Sequence, residues 1–330
     1  MSDNKSSVKW RISILAIFAI LAAVGFLLSI MMGSVSIPAQ EVFDSLMGNA
    51  TGTHEKILNS IRLPRTVVGA LVGMNLALSG AILQAVMKNP LADPHIIGIS
   101  SGAGIAGIMV MLIFPGYEMF VTPVAFVGAM LAAVCIYILA WKNGIRPVRI
   151  ILAGVAVSAF LGAGISGMMI FNSDKIHNAL MWMVGGLSAR SWPHVAMIWP
   201  YSLGGGILAL LASRHINILQ LGDEVAKGLG VRVELTRIVL TAIAALLAAS
   251  AVSVVGLLGF VGLIVPHAAR LIVGSDYRFL LPASALLGIG VVTICDTVAR
   301  VAFAPVELPV GILMAAFGAP FFLFLLRREL

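Results

Sequence analysis

The chain has 330 residues, 60% of them hydrophobic and only 11% charged, with a mean hydropathy of +1.06. So little charge excludes a soluble globular fold of this length. The formal net charge of +7 comes with no aromatic-basic platform for bases and therefore does not indicate nucleic acid; Lys and Arg also gather in the cytoplasmic loops of membrane proteins.

Lys5, Lys9 and Arg11 precede an apolar run from Ile12 to Met32. That run is longer than a secretory signal core and no A-x-A site follows it, so it reads as a retained transmembrane helix. Ten spans are expected, at 12–33, 65–87, 95–113, 121–141, 148–170, 194–212, 236–253, 255–273, 279–301 and 309–326, most near the ~20 residues that cross a hydrocarbon core. Residues 34–63, 171–193 and 213–234 are more polar and should lie outside the bilayer. The fold class is all-α: one polytopic transmembrane helical bundle occupying 1–330 as a single domain.

Several short segments stand out in chain order. Ile61-Arg62-Leu63-Pro64-Arg65 opens the second span. Lys88-Asn89-Pro90-Leu91-Ala92-Asp93-Pro94 is a two-proline turn whose prolines restrict themselves and the residues before them. Gly98, Gly102 and Ala106, and then Ser158, Gly162 and Ser166, recur four apart and allow close helix approach in lipid. Cys135 and Cys295 fall inside apolar runs, read as small buried side chains, and have no metal-ligand spacing. In Leu221-Gly222-Asp223-Glu224-Val225-Ala226-Lys227-Gly228-Leu229-Gly230, Gly222 permits a sharp turn, the two acids suit a helix N-terminus, and Gly228 and Gly230 suit its end. Val225, Ala226 and Leu229 are expected to share one face of this short helix, suited to a partner's groove. Gly256, Gly259, Gly262 and Pro266 interrupt the eighth span, which should be short or bent. Asp296 is the ionisable residue well within a span, and Arg300 is one turn later on the same face, so the two can pair.

Orientation follows from the basic residues. An N-terminus inside places 15 of the 21 Lys and Arg on the cytoplasmic side and leaves Lys56, Arg62, Arg65, Lys175, Arg190 and Arg300 outside. The opposite orientation inverts this bias, so both termini are expected in the cytoplasm. No G-x-x-x-x-G-K-[ST], H-E-x-x-H or G-x-S-x-G motif occurs, so neither a nucleotide cradle nor a hydrolase site is expected. The scarcity of intramembrane ionisable groups argues against an ion-coupled secondary transporter, the main rival to an externally powered one.

Taken in order, Arg62-Leu63-Pro64-Arg65, Ser79-Gly80 with Gln84, Asn89-Pro90-Leu91-Ala92, Gly98 to Ala103, Leu152-Ala153-Gly154, Trp182-Met183, Gly259-Phe260-Val261-Gly262-Leu263, Pro266-His267 with Arg270, Asp296 with Arg300, Glu307-Leu308-Pro309-Val310-Gly311 and Gly318-Ala319-Pro320 resemble the permease subunits of ABC importers for iron siderophores, haem and cobalamin. The resemblance covers about residues 10–328. It implies a permease homodimer, or a heterodimer with a paralogue, in a bacterial or archaeal cytoplasmic membrane. Two cytoplasmic ATPase subunits would carry ATP and Mg, and an extracytoplasmic substrate-binding protein would deliver ligand. This chain would then be no enzyme and bind no cofactor, metal or nucleic acid of its own.

The resemblance also assigns roles to residues. Leu221, Gly222, Asp223, Glu224, Val225, Ala226, Leu229 and Gly230 would couple to the ATPase. Arg62, Arg65 and Arg300 would dock the binding protein. Gly154, Ser158 and Gly162 would line the pathway. Relatives carry small hydroxyl residues at an inner gate where this chain reads Ile145-Arg146-Pro147-Val148-Arg149, so Arg146 and Pro147 are the gate candidates. The implied cargo is a metal chelate, ferric siderophore first, with haem or cobalamin as alternatives.

Overall fold

The computed structural model describes residues 7–33, 37–46, 52–95, 98–142 and 147–329. Every regular element among them is helical. In chain order these are α1 (Val8–Met31), α2 (Ala39–Leu46), α3 (Thr53–Ile57), α4 (Leu63–Met87), α5 (Ile99–Ile113), α6 (Val121–Ala140), α7 (Pro147–Phe171), α8 (Ile176–Val184), α9 (Trp192–Leu211), α10 (Ser213–Gln220), α11 (Asp223–Gly228), α12 (Val233–Val255), α13 (Val261–Val273), α14 (Tyr277–Val301) and α15 (Val310–Glu329). A π-helical turn, Leu58–Arg62, joins α3 to α4. Each of the ten expected spans contains a helix. Among the described residues seven helices are long and apolar enough to cross a bilayer, and α5, α13 and the apolar part of α15 are shorter.

The short helices have local causes. Entry to α5 is delayed to Ile99 by the two-proline turn, in which Asn89 Oδ1 accepts from Leu91 N–H at 2.9 Å and Asp93 Oδ1 from His95 N–H at 2.7 Å. Between α12 and α13 the chain leaves helical geometry at Gly256 (φ +81°) and re-enters after Phe260 (φ +67°). Within α13, Pro266 supplies no N–H to the Gly262 carbonyl one turn back. Gln84 of α4 compensates: its Nε2 donates to the Gly262 carbonyl at 3.3 Å and the Leu263 carbonyl at 3.1 Å, while its Oε1 accepts from Arg270 Nη2 at 2.9 Å.

Helices α4 and α12 are the most buried and lie at the centre, with α4 packed against α9, α12, α13 and α14, α1 against α14, and α5 against α6 and α7. In lipid there is no water to expel between helices, so close packing and internal hydrogen bonds hold them. A methyl group at Gly80 would overlap the Gly262 carbonyl, and one at Gly73 would overlap that of Gly288. Asn75 Nδ2 donates to Ser202 Oγ (2.8 Å) and Ser250 Oγ (3.0 Å), joining α4 to α9 and α12, and Ser79 Oγ donates to the Ala244 carbonyl at 2.7 Å. Of the two cysteines, Cys135 is exposed on α6 and not buried as expected, because its position faces outward from the bundle; Cys295 is partly buried.

The charges sort to two ends. At the end holding the start of α1, Asp276 caps α14 and accepts from Arg278 Nη2 (2.7 Å), Asn217 Nδ2 (2.8 Å) and Arg11 Nη1 (3.2 Å). Three elements, α1, α10 and α14, thereby meet at one carboxylate. The Arg278 hydrogen bonds, with help from Asn217, outweigh burial and hold the Asp276 carboxyl well below the usual carboxylate range.

Gly80→Ala should destabilise the protein by about 1–3 kcal/mol through overpacking, whereas Gly162→Ala, where a methyl group meets nothing within 4 Å, should be neutral; melting of the detergent-purified variants checks both. Asp276 titrates below its unfolded value, so its contribution is complete above the usual carboxylate pKa of ~4 and is lost as pH falls below it. Asp276→Asn should therefore lower the melting temperature at neutral pH and flatten its dependence between roughly pH 5 and 3.

Candidate functional site

The two ends of the bundle carry different chemistry. At the Asp276 end, the left-handed Gly222 (φ +106°) turns the chain into α11. Asp223, the first residue of that helix, accepts from Lys88 Nζ and Arg237 Nη2, both at 2.9 Å. Burial raises the Asp223 carboxyl, but these bonds outweigh it and hold the group below the usual carboxylate range. The short helix is thus fastened to the end of α4 and the second turn of α12. Its apolar residues divide between two faces, which corrects the single face expected for Val225, Ala226 and Leu229. Ala226 is fully buried and its carbonyl accepts from Val231 N–H at 3.0 Å. Leu221, Val225 and Leu229, one turn apart, are 60%, 50% and 60% exposed. Glu224 and Gly230 are exposed beside them. Three aligned apolar side chains next to charged groups at a bundle end form a surface that a partner's groove would cover.

At the opposite end, the arginines expected to dock the binding protein are buried: Arg62, Arg65 and Arg300 are 4%, 5% and 4% exposed. Partners inside the bundle account for their burial. Arg65 grips Asp296 with two parallel bonds, Nε–Oδ2 at 3.0 Å and Nη2–Oδ1 at 2.9 Å, and reaches Glu307 Oε2 with Nη1 at 2.8 Å. Arg300 forms the expected pair with Asp296 at 3.3 Å and donates to the Ser29 carbonyl and hydroxyl, each at 2.9 Å. Arg62 Nη1 donates to the carbonyls of Ile30 and Met31 at 3.0 and 2.8 Å, supplying donors to the last turn of α1. The member of this cluster that stands exposed is Glu307.

The pathway candidates on α7 do not share one environment. Gly154 is buried. It lies with Ser158 against the start of α5, where a methyl group at Gly98 would be 3.1 Å from Ser158 Oγ and 3.4 Å from the Gly154 carbonyl. Gly162 borders open space. The outward face of α7 runs through Leu152, Val155 and Phe160, while Gly154 and Ser158 lie where α7 meets the start of α5. Pro147 opens α7, where its missing N–H costs nothing; Arg146 lies outside the described residues.

The sequence reading did not single out an open cavity of about 960 Å³ at the Arg65 end, between the α5–α6 connection, α8 and the start of α9. Glu118, Asp174 and Glu307 bring negative charge to it, Lys175 and Arg190 positive charge, and His177 and His194 hydrogen-bonding groups, and Trp182 and Pro309 contribute apolar wall. The signal available was Arg190, one of the six basic residues that the topology leaves outside.

The FecCD transport family matches residues 20–328 of the chain. The Fe(3+)-citrate import system permease protein YfmE of Bacillus subtilis is 40% identical over 329 residues, 99% of this chain and 98% of that protein. The cobalamin import system permease protein BtuC of Halobacterium salinarum is 45% identical over 276 residues, 83% of this chain and 74% of that protein. Among solved structures, one described as an inward-facing conformation of a metal-chelate type ABC transporter superposes with a TM-score of 0.85 at 27% identity, covering 96% of this chain and 99% of that one. These matches show that the chain belongs to the FecCD transport family and is a multi-pass membrane permease of the ABC importer type, a transport subunit and not an enzyme.

Proposed function

We propose that this permease carries a ferric chelate, a siderophore or a citrate complex, from an extracytoplasmic binding protein to the cytoplasm. Two copies, or one copy and a paralogue, enclose the path, and two ATPase subunits with ATP and Mg drive it from below. The observation that carries this reading is the unlike character of the two ends. One presents Leu221, Val225 and Leu229 around an ion-paired short helix, and the other presents a large cavity beside Glu307. The 40% identity to a ferric citrate permease across nearly the whole chain supports iron as the metal. Cobalamin is the second reading, favoured by the higher identity to a cobalamin permease over a shorter region.

In this reading both termini face the cytoplasm, α11 seats in the ATPase, and the delivery protein contacts the Glu307 end. Selectivity rests largely with that delivery protein, so the permease needs a shaped path more than a fixed set of metal ligands. ATP binding closes the ATPase pair, α11 moves with it, and the bundle alternates between outward and inward openings.

In proteoliposomes, uptake of radioiron as a siderophore complex should require the permease, the ATPase with ATP, and the binding protein together. Uptake by the permease alone under an ion gradient would end this reading in favour of a secondary transporter. Replacing Leu221, Val225 and Leu229 together with Asp should abolish co-purification of the ATPase while leaving the melting temperature of the isolated permease within a few degrees, because these side chains are already exposed. Retained ATPase binding would remove α11 as the coupling element.

A further inference from the structure

Arg190 differs from the other arginines at its end of the bundle. Arg65 and Arg300 share Asp296, and Arg62 is held by carbonyl oxygens. Arg190 has no carboxylate within ion-pair distance among the described residues; its side chain contacts His194 Nε2 through Nη1 at 3.2 Å, and its buried Nε has no hydrogen-bond partner. His194 Nδ1 accepts from Ser191 N–H at 3.2 Å and lies 3.1 Å from Ser191 Oγ, so Ser191 fixes the imidazole, which lies against the guanidinium and supplies no negative charge.

The backbone is also strained toward this arrangement. Ala189, the residue before Arg190, adopts a left-handed φ of +58°, a conformation that costs an L-residue ~1 kcal/mol or more and tends to persist at ligand clamps. Burial, with the like charge of Arg65 behind it, pushes the Arg190 guanidinium down to about 10. A positive charge that is partly desolvated, oriented and without a counter-ion favours an incoming anion.

We propose that Arg190, beside His194 in the wall of the outer cavity, binds a free carboxylate of an anionic metal chelate as it enters the permease. The cavity, about 960 Å³, is far larger than one acidic side chain of a docking protein fills and lies within the size range of small-molecule sites. Its wall adds the Trp182 indole, whose Nε1 is buried without a partner, and the apolar Pro309 and Val255, which suit the carbon skeleton of a chelator. The proposal rests on the transport reading and adds to it a chemical preference: chelates with uncoordinated carboxylates are retained at the mouth, and neutral ones pass without this contact.

The test is equilibrium binding of radioiron to the full-length permease in lipid nanodiscs, offered as ferric citrate or as a neutral ferric trihydroxamate, with iron-free citrate as competitor. Arg190→Gln should weaken ferric citrate binding about tenfold or more, the usual effect of losing a charge-assisted bond, and leave the trihydroxamate unchanged. Arg190→Lys should fall between, because it keeps the charge and loses the planar fork. Lys56→Gln, removing an exposed cation at the same end but outside the cavity, should have no effect. Unchanged citrate affinity in Arg190→Gln, an equal loss for both chelates, or an equal effect of Lys56→Gln would overturn the proposal, as would absence of saturable citrate binding by the wild type. If Arg190→Gln does not fold, Arg190→Lys decides, and wild-type affinity in that variant counts against the site. Parallel ATP-driven uptake of the trihydroxamate separates the two levels: its loss in the wild type refutes the transport reading, while its persistence without citrate discrimination refutes only the Arg190 site.

Discussion

A row of donors along α4 supports the rest of the bundle. Arg65 holds Asp296 of α14, Asn75 joins α9 to α12, Ser79 reaches the α12 backbone, and Gln84 replaces the hydrogen bond that Pro266 removes from α13. Each of these groups would be expensive in hydrocarbon without its partner. Because every partner belongs to a different helix, satisfying α4 fixes the positions of its neighbours. Glycines at the Gly73–Gly288 and Gly80–Gly262 contacts bring the backbones close enough for these short side chains to reach.

The positions of the helices were readable from sequence because span length and loop polarity are one-dimensional properties. Even the weak eighth span was marked by its own glycines and Pro266. Side-chain direction was less accessible. The sequence places Arg62, Arg65 and Arg300 on the outer side but not their burial, which follows from the placement of Asp296, Glu307 and the α1 carbonyls around them. The same limit applies to Ala226, which shares a short helix with Val225 and Leu229 but turns the other way. It applies also to Gly154 and Ser158, whose small size suits both a pathway and a packing seam; the nearby turn at Gly98 takes up the space they leave.

The outer cavity was hidden for a related reason. Its walls come from the α5–α6 connection, α8 and the segment before α9, which are separated in sequence and individually unremarkable. Arg190 and His194 are one helical turn apart, so their contact is local; the absence of a carboxylate beside Arg190 is a property of the assembled tertiary structure.

The fastening of Asp223 to both Lys88 and Arg237 has a mechanical consequence. A short helix tethered by flexible loop alone would absorb a push in bending. Here a displacement of α11 would either drag the end of α4 and the second turn of α12 with it or rupture two ion pairs at once. Since those two helices form the centre of the bundle, a load placed on this surface would fall first on them.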